Sequence, residues 1–126
     1  MKRDMDLVRK ILLHIESKED DHPIIEAPFD GYDEITFLEH YHLLNEAGLI
    51  RGETVCSTST PDRIVEVIPF SLTWAGHDFT DSIKNEGIWN KAKDAVSSKL
   101  SGLPFDLLKA VLIGLCKEAV KDAVKG

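Results

Sequence analysis

The sequence predicts an α+β chain, mainly helical, with a two-stranded hairpin set between two N-terminal helices and further C-terminal helices. Three observations carry this. Apolar residues between positions 7 and 15 recur at i, i+3, i+4 and i+7. Two runs of strand-forming residues flank the polar turn Thr-Ser-Thr-Pro-Asp at 58–62. The stretch 107–116 is apolar on nearly every side of a helix except at Lys109.

The first helix is capped by Asp4 or Asp6 and buries a stripe of Leu7, Val8, Ile11, Leu12 and Ile15. Charge then accumulates in Ser-Lys-Glu-Asp-Asp-His, and Pro23 removes a backbone donor, so that helix ends. Ile24–Tyr32 reads as a short extended segment followed by an Asp-Gly loop. A second helix begins near Asp33, turns Phe37, Leu38, Tyr41, Leu44 and Ala47 inward, and stops at Gly48, which tolerates a positive φ. The runs 49–57 and 63–73 form the hairpin, with Pro69 marking a bend or an edge. Thr73 caps a third helix starting at Trp74, in which Phe79, Ile83, Trp89 and Val96 supply bulk and the residues around Gly87 break it in two. Trp74 and Trp89 are both expected in the core, since each falls in an apolar helical pattern. Pro104 suits the first turn of the last helix.

At 126 residues, 43% hydrophobic and 29% charged, the chain has the balance of one folded domain with an appended tail. The boundaries are drawn at 1–100 for the domain and 101–126 for the tail. Acidic residues interrupt the N-terminal stretch and its apolar positions are spaced, which does not match a signal peptide. The longest apolar run, Leu-Leu-Lys-Ala-Val-Leu-Ile-Gly-Leu-Cys, contains a lysine and is about half a membrane span. A cytoplasmic protein without a membrane partner is expected. Cys56 and Cys116 lack metal-ligand spacing and are expected to be a reduced pair.

The order helix, extended piece, helix, hairpin, helix is that of a winged helix, a helix-turn-helix-like domain, with the first half of its helix-turn-helix reduced. His-Tyr-His-Leu-Leu-Asn-Glu-Ala-Gly-Leu-Ile (40–50) resembles the end of the reading helix in many bacterial winged-helix regulators. Ser-Leu-Thr-Trp-Ala-Gly-His-Asp-Phe (71–79) resembles their wing exit. Together with Met-Lys-Arg-Asp-Met-Asp-Leu-Val-Arg-Lys-Ile-Leu-Leu at the start and Ile-Trp-Asn-Lys-Ala-Lys at 88–93, these blocks resemble a small family from phages and bacterial genomes, domain of unknown function 2513. The resemblance covers roughly residues 1–100. It implies a fold and a phage or prophage setting, and no reaction.

The net charge of −7 repels polyanions unless basic groups are segregated. From Asp33 to Ile50 there are four acidic residues and no Lys or Arg, while from Trp74 to Gly126 eight Lys face seven acidic residues. The outward stripe of the second helix is read as Thr36, Glu39, His40 and Leu43, where DNA-reading relatives carry donors for base edges and phosphates. Arg51 and Arg63 near the wing, with Lys2, Arg3, Arg9 and Lys10, are the cations available for nucleic acid. His40 and His42 point about 200° apart and cannot share a metal; Glu39 and His42 are better spaced but lack a third ligand. His77 has no nucleophile beside it, and no nucleophile elbow or phosphate-cradling glycine loop occurs.

The expectation is therefore a non-enzymatic winged-helix module, without metal or cofactor, that contacts a protein partner in regulation through Thr36, Glu39, His40 and Leu43. The alternative is a dimeric DNA-binding transcription regulator, joined through its last helix, with Arg51, Arg63, Lys2 and Arg3 on the nucleic acid. A third reading is an oligomerising scaffold whose tail assembles copies.

Overall fold

A computed structural model describes residues 1–125; Gly126, the last residue of the expected tail, lies outside the described residues. The elements are α1 (Met5–Ser17), α2 (Glu34–Glu46), β1 (Ile50–Cys56), β2 (Ile64–Leu72), α3 (Trp74–Ile83), α4 (Glu86–Ser97) and α5 (Phe105–Lys125). The chain divides into two compact units, Met1–Asp78 and Phe79–Gly126. Within the second unit α4 packs against α5.

In the first unit the Asp4 carboxylate accepts from the backbone N–H of Asp6 and Leu7, which opens α1. Leu7, Val8, Ile11, Leu12 and Ile15 are buried together with Met5. After α1 the Lys18 ammonium donates to the backbone carbonyls of Asp20, His22 and Phe70. The extended segment is tied to β2 by Ile24 N–H donating to Pro69 O at 2.8 Å. Phe29 and Tyr32, in the loop before α2, pack edge-on against Phe37 with centroid distances of 5.2 and 5.8 Å. Aromatic contacts thus anchor a stretch that has no regular structure of its own.

β1 and β2 pair antiparallel, and α1 and α2 both pack on β2. Val67, Pro69 and Leu72 are buried on β2. On β1 only Ile50 is buried, and Glu53–Cys56 are exposed. The register shifts between Arg51 and Gly52, opposite Ser71 and Pro69. The missing N–H of Pro69 is thereby placed at an irregularity, as its chemistry requires. The loop is closed by Ser57 N–H to Arg63 O and Arg63 N–H to Thr60 O, both at 2.8 Å.

One interlock joins the exit of α2 to the entry of α3. Gly48 takes φ +75, the left-handed conformation that ends a helix and favours glycine. Its carbonyl accepts from Thr73 Oγ1 at 2.6 Å, and the Leu49 carbonyl accepts from Thr73 N–H at 3.1 Å. Thr73 Oγ1 also accepts from Gly76 N–H at 3.0 Å, capping α3. A Cβ on Gly76 would lie 1.9 Å from the Leu49 carbonyl oxygen, so only glycine permits this approach.

That interlock corrects the expectation for Trp74, which is 83% exposed and not in the core. Residues two apart on a helix point about 200° from one another. With Gly76 held against Leu49, Trp74 must face away.

In the second unit Asn85 caps α4 through Ile88 N–H, at the break expected near Gly87. Trp89 is 1% exposed, and Phe79, Ile83, Ala92, Val96, Leu108 and Leu112 are buried with it. Pro104 accepts from Leu108 N–H at the start of α5. Beyond Leu112 no residue of α5 is buried among those described. Cys116 is half-buried with its thiol on the Ser82 carbonyl, and Cys56 is exposed on β1; both are free thiols.

Gly76→Ala should cost at least about 2 kcal/mol, because the clash is with backbone that cannot swing aside. Thr73→Val, which keeps shape and removes the hydroxyl, should cost roughly 1–2 kcal/mol. Urea unfolding followed by circular dichroism measures both; a Gly76→Ala protein as stable as wild type would contradict the interlock.

Candidate interaction surface

α2 is the element that the sequence singled out, and its orientation decides which side chains a partner could touch. Asp33 caps it, accepting from Thr36 N–H at 2.8 Å and Thr36 Oγ1 at 2.5 Å. These two bonds, the hydroxyl's foremost, hold the Asp33 carboxyl below its ordinary pKa. Phe37, His40, Tyr41 and Leu44 form the buried face at i, i+3, i+4 and i+7.

His40 was expected outside and is fully buried. Its Nε2 accepts from Asp4 N–H at 2.8 Å, and its Nδ1 lies 2.8 Å from the Thr36 carbonyl oxygen. Because the carbonyl can only accept, Nδ1 carries the proton and Nε2 offers its lone pair, so the bound form is the neutral ring. The imidazole pins the start of α1 to the middle of α2. His40 is therefore a structural residue and leaves the proposed contact stripe.

Of the other three expected contacts, Thr36 is half-buried and shares Asp33, Glu39 is exposed, and Leu43 is half-buried. The side facing out is shifted by one residue and comprises Ile35, which is 67% exposed, with Glu39, half-exposed His42 and Glu46. These stand at i, i+4, i+7 and i+11, one stripe of the helix. Ala47, expected inward, is also exposed.

Glu39 and His42 line an open depression of about 510 Å³ with Asp62, Arg63, Ile64 and Val65 at the far end of the hairpin. No group of three or more His, Cys, Asp or Glu side chains able to hold a metal occurs among the described residues.

The basic residues are scattered. Arg51 stands at the start of β1, with Nη1 donating to the Leu72 carbonyl at 3.2 Å. Arg63 stands beyond Ile64, which pairs with Cys56 at the other end of the hairpin. Five residues of strand separate the two ends, roughly 17 Å at the rise of a β-strand. Lys2 and Arg3 are exposed ahead of α1, and Lys10 lies over the Tyr32 ring at 5.3 Å. In residues 1–78 seven Lys and Arg face sixteen Asp and Glu, a net charge of −9; in residues 79–126 eight Lys face six, a net of +2. The unit bearing the candidate surface is the strongly acidic one.

Tyr41 is buried, as the sequence predicts, yet among the described residues its hydroxyl has no hydrogen-bond partner. Burial pushes its pKa up to about 12.

A family model described as "Hypothetical protein (DUF2513)" matches residues 2–102. The chain belongs to this family. It is also 37% identical over 112 residues to an uncharacterized protein of Haemophilus influenzae, covering 88% of this chain and 92% of that protein. No solved structure gives a significant match. Among the described residues no helix is long and apolar enough to cross a membrane. The family match ends in the turn between α4 and α5, so α5 lies outside the part matched to the family model.

Two stability measurements test the buried face. His40→Ala strips a partner from Asp4 N–H and leaves a cavity, and should cost about 2–4 kcal/mol. For Tyr41 the sign follows from the raised pKa. Both states hold a neutral phenol below pH 10, and between pH 10 and about 12 the unfolded chain loses the proton while the folded chain keeps it. Stability should fall across that window by up to about 2–3 kcal/mol more in wild type than in Tyr41→Phe. Near pH 7 the Phe variant should be as stable as wild type or more so, since the hydroxyl it removes is unsatisfied.

Proposed function

We propose that the chain is a non-enzymatic winged-helix module, of the phage or prophage kind, that acts in regulation by contacting another protein. The observation that carries the reading is the outward side of α2, where Ile35, Glu39, His42 and Glu46 are presented in a helix devoid of Lys and Arg. A helix that reads DNA needs donors for base edges and cations for phosphates. A carboxylate and isoleucine surface suits a protein partner with basic and apolar groups. The element order supports the winged-helix reading. In that reading α2 would be the reading helix and β1 with β2 the wing, with the extended piece at Ile24 bonded to Pro69 on β2.

A dimeric DNA-binding regulator is the second reading, favoured by one feature. On the last turns of α5, Val120 and Val124 are 63% and 81% exposed and lie four residues apart on one stripe. Exposed valines so spaced are suited to joining two copies, and a two-fold axis suits operator DNA.

Tagged full-length protein and a Glu39→Lys/His42→Asp variant should be compared by affinity purification from the host. The double change should remove at least one partner that wild type retains; identical partner sets would reject the α2 surface. Val120→Asp/Val124→Asp should halve the solution mass if these valines join a dimer. Anisotropy with genomic fragments near 50 mM salt, where counterion release favours association, should detect no binding. Binding there that fades with Val120→Asp/Val124→Asp would favour the second reading.

A further inference from the structure

A second concave feature of the first unit lies apart from the depression at Glu39 and His42. It is a groove of about 280 Å³ between the extended segment Ile24–Ala27, the α2 residues Glu34, Phe37, Leu38 and Tyr41, and Glu66–Ile68 of β2. Its volume falls just below the range of about 300–1,000 Å³ typical for drug-sized ligands. It fits one or two side chains better than a cofactor. Its floor is apolar, with Phe37, Tyr41 and Val67 buried and Leu38 and Ile68 half-buried. At its lip Ile25 is 88% exposed.

Three properties identify what could fill it. The first is charge: the ionisable groups lining the groove are the carboxylates of Glu26, Glu34 and Glu66 and the Tyr41 phenol, and no Lys, Arg or His lines it. An apolar trough edged by carboxylates favours an apolar group flanked by cations and disfavours any polyanion.

The second is backbone. Pro69 turns its carbonyl away from β1 to accept from Ile24 N–H, and the register from Pro69 down to Glu66 is regular. By the two-residue period of a strand, Val67 carries its N–H and C=O on that same side. Ile24 on Pro69 is the one backbone hydrogen bond between the two stretches, so the extended segment does not complete the ladder beside Val67.

The third is the Tyr41 hydroxyl, buried without a partner in a residue that forms part of the groove. A buried hydroxyl left unpaired costs about 1–3 kcal/mol.

We propose that this groove receives an extended segment of a partner protein, pairing along β2 beside Val67, with an aliphatic or aromatic side chain over Phe37 and Leu38 and Lys or Arg side chains on Glu26, Glu34 and Glu66. Strand addition of this kind draws affinity from the main chain and specificity from alternate side chains. The inference rests on the protein-binding reading above and adds the site and chemistry of the partner. It does not use the outward stripe of α2.

The test is selection of a random heptapeptide library on the immobilised full-length chain. Wild type should enrich peptides with a central aliphatic or aromatic residue and Lys or Arg nearby. A synthetic peptide of the enriched sequence should bind Glu34→Lys/Glu66→Lys at least about fivefold more weakly, and should bind Glu39→Lys as it binds wild type. Glu34→Gln/Glu66→Gln, which removes charge without reversing it, should give a smaller loss in the same direction and guards against misfolding of the reversed variant. Enrichment of peptides without basic residues, no enrichment, or affinity unchanged in both Glu34/Glu66 variants would overturn the proposal. Should the library yield nothing while Glu39→Lys/His42→Asp still loses a host partner, the groove inference fails and the protein-binding reading stands. The converse result would leave the groove and discard the α2 surface.

Discussion

The first unit depends on a hydroxyl and a missing methyl. Thr73 Oγ1 donates to Gly48 and accepts from Gly76, while Gly76, lacking a Cβ, lets the Leu49 carbonyl approach. Through these contacts the end of α2, the root of the hairpin and the start of α3 meet at one point, and the two strands leave it already paired at Ile50 and Leu72. A two-stranded hairpin is marginal in isolation. Anchored at its root and covered by α1 and α2 on β2, it can extend its outer residues into solvent without losing register.

A second constraint works from inside α2. His40 spends both ring nitrogens on backbone, one on Asp4 and one on Thr36, so the helix can present only its opposite side. What is left outside is acidic and apolar, and the first unit as a whole is acidic by nine charges. Lys18, one of the seven cations already counted in that balance, is held on the side of α1 and β2 by three backbone carbonyls and the Asp20 carboxylate. The same scaffold in a nucleic-acid reader would need its charges arranged the other way round. Here the depression at α2 bears Glu39 and Asp62 beside one cation, Arg63, and the groove bears Glu26, Glu34 and Glu66.

Much of this fold was legible because the deciding residues act locally. Asp4, Asp33 and Thr73 cap the helices that follow them, Gly48 stops the helix before it, and Leu7 to Ile15 repeat with the helical period. The family, too, was legible from its four blocks, and the match over residues 2–102 agrees with the stretch they span. What escaped depends on partners distant in sequence. His40 looked polar and therefore outward; nothing near it in the chain announces that the Asp4 N–H, thirty-six residues earlier, needs an acceptor. Trp74 looked like core bulk, and its exposure follows only once Gly76 is seen against Leu49. The groove of Ile24, Phe37 and Val67 has no linear signature, since three separate stretches build it. On α2 the outward side turned by about one residue, about 100° of helix, which is enough to replace Thr36 and Leu43 by Ile35 and His42.

The two cysteines end in unlike surroundings. Cys116 is sheltered on α5 with its sulfur turned to a carbonyl, whereas Cys56 stands uncovered where β1 gives way to the loop. An electrophilic dye would reach the second long before the first, so the native chain already holds an address for a spectroscopic label at the far end of its hairpin, with no engineered thiol required.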